Sequence, residues 1–151
     1  MAEVADVALA DTSPPPAEEL VRGATIGRYT IIRRLGAGGM GVVYLAFDPE
    51  LDRRVAVKLL RARVAVAGSE GPARLVREAQ VMAKLSHPNV ITVFDVGTFG
   101  GDVFVAMEYV KGVTLRDWGA QGSHTAFDTI AICTQAGRGL AAAHQIGRAH
   151  V

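Results

Sequence analysis

The sequence predicts an α+β fold in which an antiparallel sheet carries its helices apart from it, and three observations predict this. From Tyr29 onward, short runs rich in β-branched and aromatic residues recur between turn residues, as strands do. A segment with helical spacing interrupts them after the third run, and a longer alanine-rich one follows the fifth. The order is therefore three strands, a helix, two strands and a helix, without the regular strand–helix alternation that builds a parallel sheet.

The elements follow in order. Residues 1–27 read as a disordered leader: they contain Pro14, Pro15 and Pro16, several acids and no aromatic residue. Their opening is acidic, which excludes a signal peptide. "YTIIRRL", "GVVYLAF" and "RVAVKLL" are the first three strands. "GPARLVREAQVMAKLS", residues 71–86, has helical spacing, with Leu75, Met82 and Leu85 as its apolar stripe. "HPNVITVFDVG" and "DVFVAMEYV" are two further strands. Residues 122–145 read as a helix, with Ser123 or Thr125 as its cap and alanines through its second half.

Composition narrows the function. At 151 residues, half of them hydrophobic, the chain is long enough for one domain with a real core. A formal charge of +1 gives no reason to expect nucleic acid or an acidic membrane as partner. No apolar run approaches the ~18 residues that span a bilayer. The single cysteine, Cys133, cannot form an internal disulfide and fits a reduced, cytoplasmic setting. His124, His144 and Cys133 show no metal-ligand spacing.

Between the first two strands lies "GAGGMG", where Gly36, Gly38 and Gly41 fit G-x-G-x-x-G. In dinucleotide-binding folds that pattern opens a helix. Here "VVYLAF" follows, so the glycines are expected at the tip of a hairpin. One reading is a plain turn. The other is that residues without side chains let backbone N–H groups approach an anion, since a two-residue turn needs fewer glycines.

Two further residues bear on the choice. Lys58 on "RVAVKLL" shares a strand face with Ala56, while Val55, Val57 and Leu59 share the other. Glu78 falls within the apolar stripe of the helix, three residues after Leu75 and four before Met82. A carboxylate on an inward face costs free energy unless a cation meets it, and Lys58 is the natural candidate.

"GAGGMGVV", "VAVK" and "REAQVMAKL", in this order, resemble the N-terminal lobe of protein kinases, whose signatures are a G-x-G-x-x-G-x-V loop, a V-A-I-K strand and a helix glutamate. "HPNVI" resembles the link to the next strand of that lobe, and "MEYVKG" the segment joining the two lobes. The texture is closest to the eukaryotic-like serine/threonine kinases of bacteria. The resemblance implies a five-stranded antiparallel sheet with one helix, followed by the first helices of a truncated C-lobe. It places the N-lobe at residues 28–110 and a partial C-lobe at 111–145.

The resemblance also implies a site. Backbone amides of Gly36, Ala37, Gly38, Gly39, Met40 and Gly41 would cover the phosphates of ATP. Lys58 would hold the α- and β-phosphates while paired with Glu78. Leu35, Val43 and Ala56 would sandwich the adenine, with Met107 guarding the back of the slot. The backbone of Glu108 and Val110 would hydrogen-bond the adenine edge. His87 belongs to the turn "SHPN" and is structural. The partners implied are ATP and a protein carrying Ser or Thr.

A kinase continues through H-R-D, whose Asp is the catalytic base, then an Asn and the D-F-G Asp that hold Mg2+. This sequence reads "GLAAAHQIGRAHV" at that point and contains none of those motifs. Although His150 falls where the His of H-R-D would be, Val151 stands in place of the Arg. "IGRAHV" is what one frame of a common short-read sequencing adapter, ATCGGAAGAGCACACGTC, encodes, with a stop codon next. The expectation is that the native reading ends near Gln145 and that residues 146–151 derive from adapter. The alternative is a natural half-kinase that binds nucleotide or a partner without chemistry, and a genuine genomic stop after Val151 would mark it.

Overall fold

Six strands form one antiparallel sheet in a computed structural model that describes residues 20–39, 41–61 and 71–148, the side chains at 71, 72, 74, 75, 78, 147 and 148 excepted. In chain order the elements are β1 (Thr25–Ile26), β2 (Tyr29–Gly38), β3 (Gly41–Asp48), β4 (Arg53–Leu60), α1 (Gly71–Ala83), β5 (Val93–Phe99), β6 (Asp102–Glu108), α2 (Leu115–Ala120) and α3 (Ala126–Arg148). The sheet order is β1-β2-β3-β4-β6-β5. Every strand but β5 therefore pairs with its predecessor or follows it by a hairpin, and β6 enters beside β4 because the β5–β6 hairpin turns back on itself. That turn is Gly100 and Gly101, both at positive φ (57° and 87°), the pairing that matches the twist of two antiparallel strands.

Alternation decides which face is core. Tyr44 and Ala46 of β3, Val55 and Val57 of β4, and Phe104 and Ala106 of β6 point to one side and meet Ile26, Tyr29 and Ile31. Each of these side chains is at most 6% exposed, and full burial of a residue such as Val or Ile is worth roughly 1.5–3 kcal/mol. Tyr29 meets Phe104 edge to face at 6.1 Å. Phe104 also lies over its cross-strand partner Gly97, where a Cβ would come within 2.6 Å of the ring. Leu59 packs against the same cluster, so the division of β4 into Val55, Val57 and Leu59 on one face and Ala56 and Lys58 on the other is what the alternation predicted.

Asp48, fully buried at the end of β3, is the polar exception. Arg28 Nε donates to its Oδ1 at 3.2 Å, and the Glu50 N–H donates to the same oxygen at 3.2 Å. Arg53 stands 3.8 Å from Oδ2 with its guanidinium over the Phe94 ring at 3.7 Å. The Asp48 carboxylate holds the β3–β4 turn in this way while its charge stays paired.

Three expectations change. The leader was drawn to residue 27, yet residues 20–27 are on the sheet: Thr25–Ile26 pair with β2, Ile26 is fully buried, and the Leu20 N–H donates to the Tyr44 hydroxyl at 3.3 Å. Residues 1–19 of that leader lie outside the described residues. The sheet gains β1 for the same reason, making six strands where five were expected, because Gly27 at positive φ turns the chain back on Tyr29. Among the described side chains of α1 the half-buried ones are Val76, Ala79, Val81 and Ala83; Met82 of the expected stripe is 40% exposed, and the Leu75 and Glu78 side chains lie outside the described residues. Leu85, beyond the helix end, is buried.

α1 packs against β5 and β6. α3 begins at Thr125, not Ser123: the Thr125 hydroxyl accepts from the Asp128 N–H at 3.1 Å, and Asp128 Oδ2 accepts from the Thr125 N–H at 3.0 Å. The Thr125 hydroxyl also donates to Asp128 Oδ2 at 2.6 Å, and this bond first, then the one from the Thr125 N–H, holds the Asp128 carboxyl below its usual range. α3 is seated on the turn before β5 by Gly139, where a Cβ would meet the Asn89 carbonyl oxygen at 2.5 Å. No described helix is long and apolar enough to cross a membrane.

Candidate functional site

The sheet face opposite the core is built by register. Val43 of β3 stands opposite Lys58 of β4, which stands opposite Val105 of β6. One pair further along, Leu45 stands opposite Ala56, which stands opposite Met107. In an antiparallel ladder, opposed residues share a face, so these six side chains line one surface. The expected residues Val43, Ala56, Lys58 and Met107 are therefore brought together. Leu45 and Val105 belong to the same surface and were not expected there. The signal was present, since Leu45 lies two residues from Val43 and Val105 two from Met107.

The glycine segment sits at the end of this surface. Gly38 pairs with Gly41, which sets the tip of the hairpin between them. The hairpin expected from the sequence is thus present, and the helix that a dinucleotide-binding loop would open is not. Gly36 pairs with Val43, the neighbour of Lys58, which puts Gly36 two strands from Lys58, or about 10 Å. Leu35 falls at a register shift between Arg34 and Gly36 and is 37% exposed.

The glycines are not alike. Gly41 has a φ of 147°, and a Cβ there would collide with the Leu59 carbonyl oxygen, so the hairpin itself demands glycine. At Gly36, Gly38 and Gly39 a Cβ would meet nothing within 4 Å. Positive φ is not required at those three either. Neither packing nor backbone conformation explains them, which weighs against a plain turn as their reason.

Lys58 is half-buried, and among the described residues it has no carboxylate within ion-pair distance. The Glu78 side chain, expected to be its partner, lies outside the described residues, as does Met40. At the other end of the face, the Glu108 N–H donates to the Thr92 carbonyl at 2.9 Å. Glu108 is exposed, as is Val110 two residues beyond β6. Among the described residues no three His, Cys, Asp or Glu side chains gather as metal ligands do.

Two histidines, His87 and His124, have structural surroundings. His87 Nδ1 accepts from the Asn89 N–H at 3.1 Å and shapes the turn in which Val90 N–H donates to the His87 carbonyl. His124 stacks on Trp118 at 3.5 Å between ring centroids, with its Nε2 2.6 Å from the Trp118 carbonyl oxygen, and so ties α2 to the start of α3.

This fold and loop arrangement matches known proteins. The protein kinase domain family matches residues 29–151, and the chain belongs to that family. Its relatives are bacterial kinases of the eukaryotic-like serine/threonine group. It is 40% identical over 134 residues to the serine/threonine-protein kinase PknJ of Mycobacterium tuberculosis, covering 89% of this chain and 23% of that protein. It is 42% identical over 120 residues to the serine/threonine-protein kinase PrkC of Bacillus subtilis, covering 79% of this chain and 18% of that one. The crystal structure of the PknI kinase domain of M. tuberculosis superposes with a TM-score of 0.73 at 36% identity, over 85% of this chain and 52% of that domain. The chain thus spans less than a quarter of these curated relatives and about half of the solved kinase domain.

Proposed function

We propose that this chain is the ATP-binding part of a serine/threonine protein kinase, in which residues 28–110, with residues 20–27 joined to their sheet, form the N-lobe and residues from 111 onward begin the C-lobe. The observation that carries the reading is the set of three glycines, Gly36, Gly38 and Gly39, that the fold itself does not need. Side-chain-free backbone on the same sheet as Lys58, which has no carboxylate within ion-pair distance among the described residues, is what a polyphosphate requires: N–H groups that approach closely and a cation on the same surface.

The residues fit ATP as follows. The backbone of Gly36, Ala37, Gly38, Gly39, Met40 and Gly41 covers the phosphates. Lys58 holds the α- and β-phosphates and Glu78 holds Lys58 in place. Leu35, Val43 and Ala56 enclose the adenine and Met107 closes the slot behind it. Because the Glu108 N–H is already donated to Thr92, Glu108 offers the base its carbonyl and Val110 its backbone beyond the strand. ATP supplies the phosphoryl group, which in the whole protein goes to a Ser or Thr hydroxyl of a protein substrate. The base and the Mg2+ ligands of that step belong to motifs outside this sequence, so these residues bind and orient the nucleotide.

The test is a titration of the chain with a fluorescent ATP analogue, competed with ATP, for the wild type and Lys58→Met. Saturable, competable binding that weakens in Lys58→Met while the melting temperature is unchanged supports the reading; binding indifferent to Lys58 sinks it. Resequencing the gene from source DNA across the Gln145 codon separates the two forms of the proposal. A frame that continues into H-R-D and D-F-G makes this a kinase segment, and a genuine stop makes it a nucleotide-binding module without phosphoryl transfer.

A further inference from the structure

Charge is unevenly placed along this chain. Residues 1–19 hold Glu3, Asp6, Asp11, Glu18 and Glu19, a third of its fifteen carboxylates, and no Lys or Arg. All sixteen Lys and Arg lie in the rest. On the folded part, an open groove of about 550 Å³ runs between the C-terminal half of α1 and β5. Exposed Arg77, Gln80 and Lys84 form its rim, and half-buried Val81, Phe94 and Val96 form its floor.

The groove is cationic. Arg77 on α1 and Lys84, one residue past its end, both line it. Neither has a carboxylate within ion-pair distance among the described residues. Asp95 also lines the groove, but its oxygens are engaged: Oδ2 accepts from the Tyr29 hydroxyl at 3.1 Å and Oδ1 from the Val96 N–H at 2.9 Å.

An acidic segment with interspersed apolar residues suits such a surface, and "EVADVALAD", residues 3–11, has that pattern: Val4, Val7 and Leu9 among Glu3, Asp6 and Asp11. The described chain starts within reach. Leu20 packs on the same core cluster as Phe94, and the eight residues between Asp11 and Leu20 extend up to ~30 Å. Tethering gives the segment an effective concentration on the order of mM, enough to hold a contact whose exposed ion pairs are individually weak.

We propose that residues 3–11 dock in the α1–β5 groove of their own chain, with Glu3, Asp6 and Asp11 against Arg77 and Lys84 and the three apolar side chains on the floor. The proposal does not depend on nucleotide binding.

The test is zero-length carbodiimide coupling of the full chain at low concentration, read by mass spectrometry of the monomer. The chain has three lysines, Lys58, Lys84 and Lys111, so Lys111 serves as the internal reference. Docking predicts that Glu3, Asp6 and Asp11 join Lys84 in several-fold excess over Lys111. It also predicts that the excess falls in Arg77→Glu and, without any substitution, at high salt. Equal coupling to Lys84 and Lys111 would show only a tether and overturn the proposal. So would an excess indifferent to both Arg77→Glu and salt. Coupling between chains in a mixture of isotope-labelled and unlabelled protein would assign the contact to a second copy and overturn it as well.

Discussion

The Tyr29 hydroxyl donates to Asp95 Oδ2 at 3.1 Å, joining β2 to β5 although three strands lie between them in the sheet. Only a sheet that twists and curls strongly brings those strands together. The bond therefore closes the core over Ile31, Tyr44 and Val57. Burial first, and then the bond to Asp95, push the Tyr29 phenol up from 10.0 to about 12.

That shift sets an alkaline limit. The folded state keeps the Tyr29 proton at a pH where the unfolded chain has lost it, so the contribution is complete below pH 10 and disappears as pH rises towards about 12. Tyr29→Phe is expected to cost about 1–2 kcal/mol at neutral pH through the lost hydrogen bond and the unpaired Asp95 oxygen. It should also flatten the loss of stability across that alkaline window. Urea unfolding at neutral pH and midway through the window measures both.

The glycines of the β2–β3 hairpin divide by role. Gly38→Val should leave the fold intact, since the added side chain meets open space, yet weaken ATP binding by roughly tenfold or more. Gly41→Val should instead destabilise the chain by about 1–3 kcal/mol, because its φ of 147° and the Leu59 carbonyl both exclude a side chain. Paired melting and nucleotide-titration curves separate the two effects.

Two glycines of α3 should respond in opposite directions. Gly137→Ala adds a methyl in open space on a helix and should stabilise by about 0.5–1 kcal/mol. Gly139→Ala forces α3 off the Asn89 carbonyl and should destabilise by about 1–3 kcal/mol. Thermal unfolding of the two variants checks the sign.

Removing the buried Asp48 carboxylate by Asp48→Ala is expected to cost about 2–3 kcal/mol, since it strands Arg28 and the Glu50 N–H together. Arg53→Ala should cost less, because its nitrogen stands 3.8 Å away and Arg28 still neutralises the carboxylate. Denaturant midpoints of the two variants give the order.

Phe127, Ile130 and Leu140 on α3 are 79%, 65% and 62% exposed. Apolar surface of this kind promotes association. The isolated chain is expected to bind a hydrophobic dye and to aggregate at moderate concentration, and Phe127→Glu with Ile130→Lys should reduce both. Light scattering against concentration measures it.

Local pattern made much of this molecule legible. Alternation in "RVAVKLL" sorted Val55 and Val57 from Ala56 and Lys58, because side chains on a strand point to opposite faces whatever surrounds them. Glycine placement marked the hairpin tip, because few other residues serve there. Of the α1 stripe, Leu85 is buried, but Met82 is exposed beside half-buried Ala83, because the larger apolar residue is not the one that fits against the sheet. β1 was missed because two residues carry no period; Ile26 is buried through Gly27 and the pairing with Tyr29.

By itself the sequence determined the antiparallel sheet with separate helices, the glycine hairpin, the parity of Lys58 and the family resemblance. All of these are set by neighbours a few residues apart or by motifs in a fixed order. Only the tertiary structure decided that β6 lies between β4 and β5, which puts Val105 and Met107 beside Lys58 and Ala56. It also decided that Tyr29 meets Asp95 and that three glycines face open space. Those facts depend on which strand edges pair and how far the sheet curls, and these are settled by burying the whole core at once rather than by any local preference.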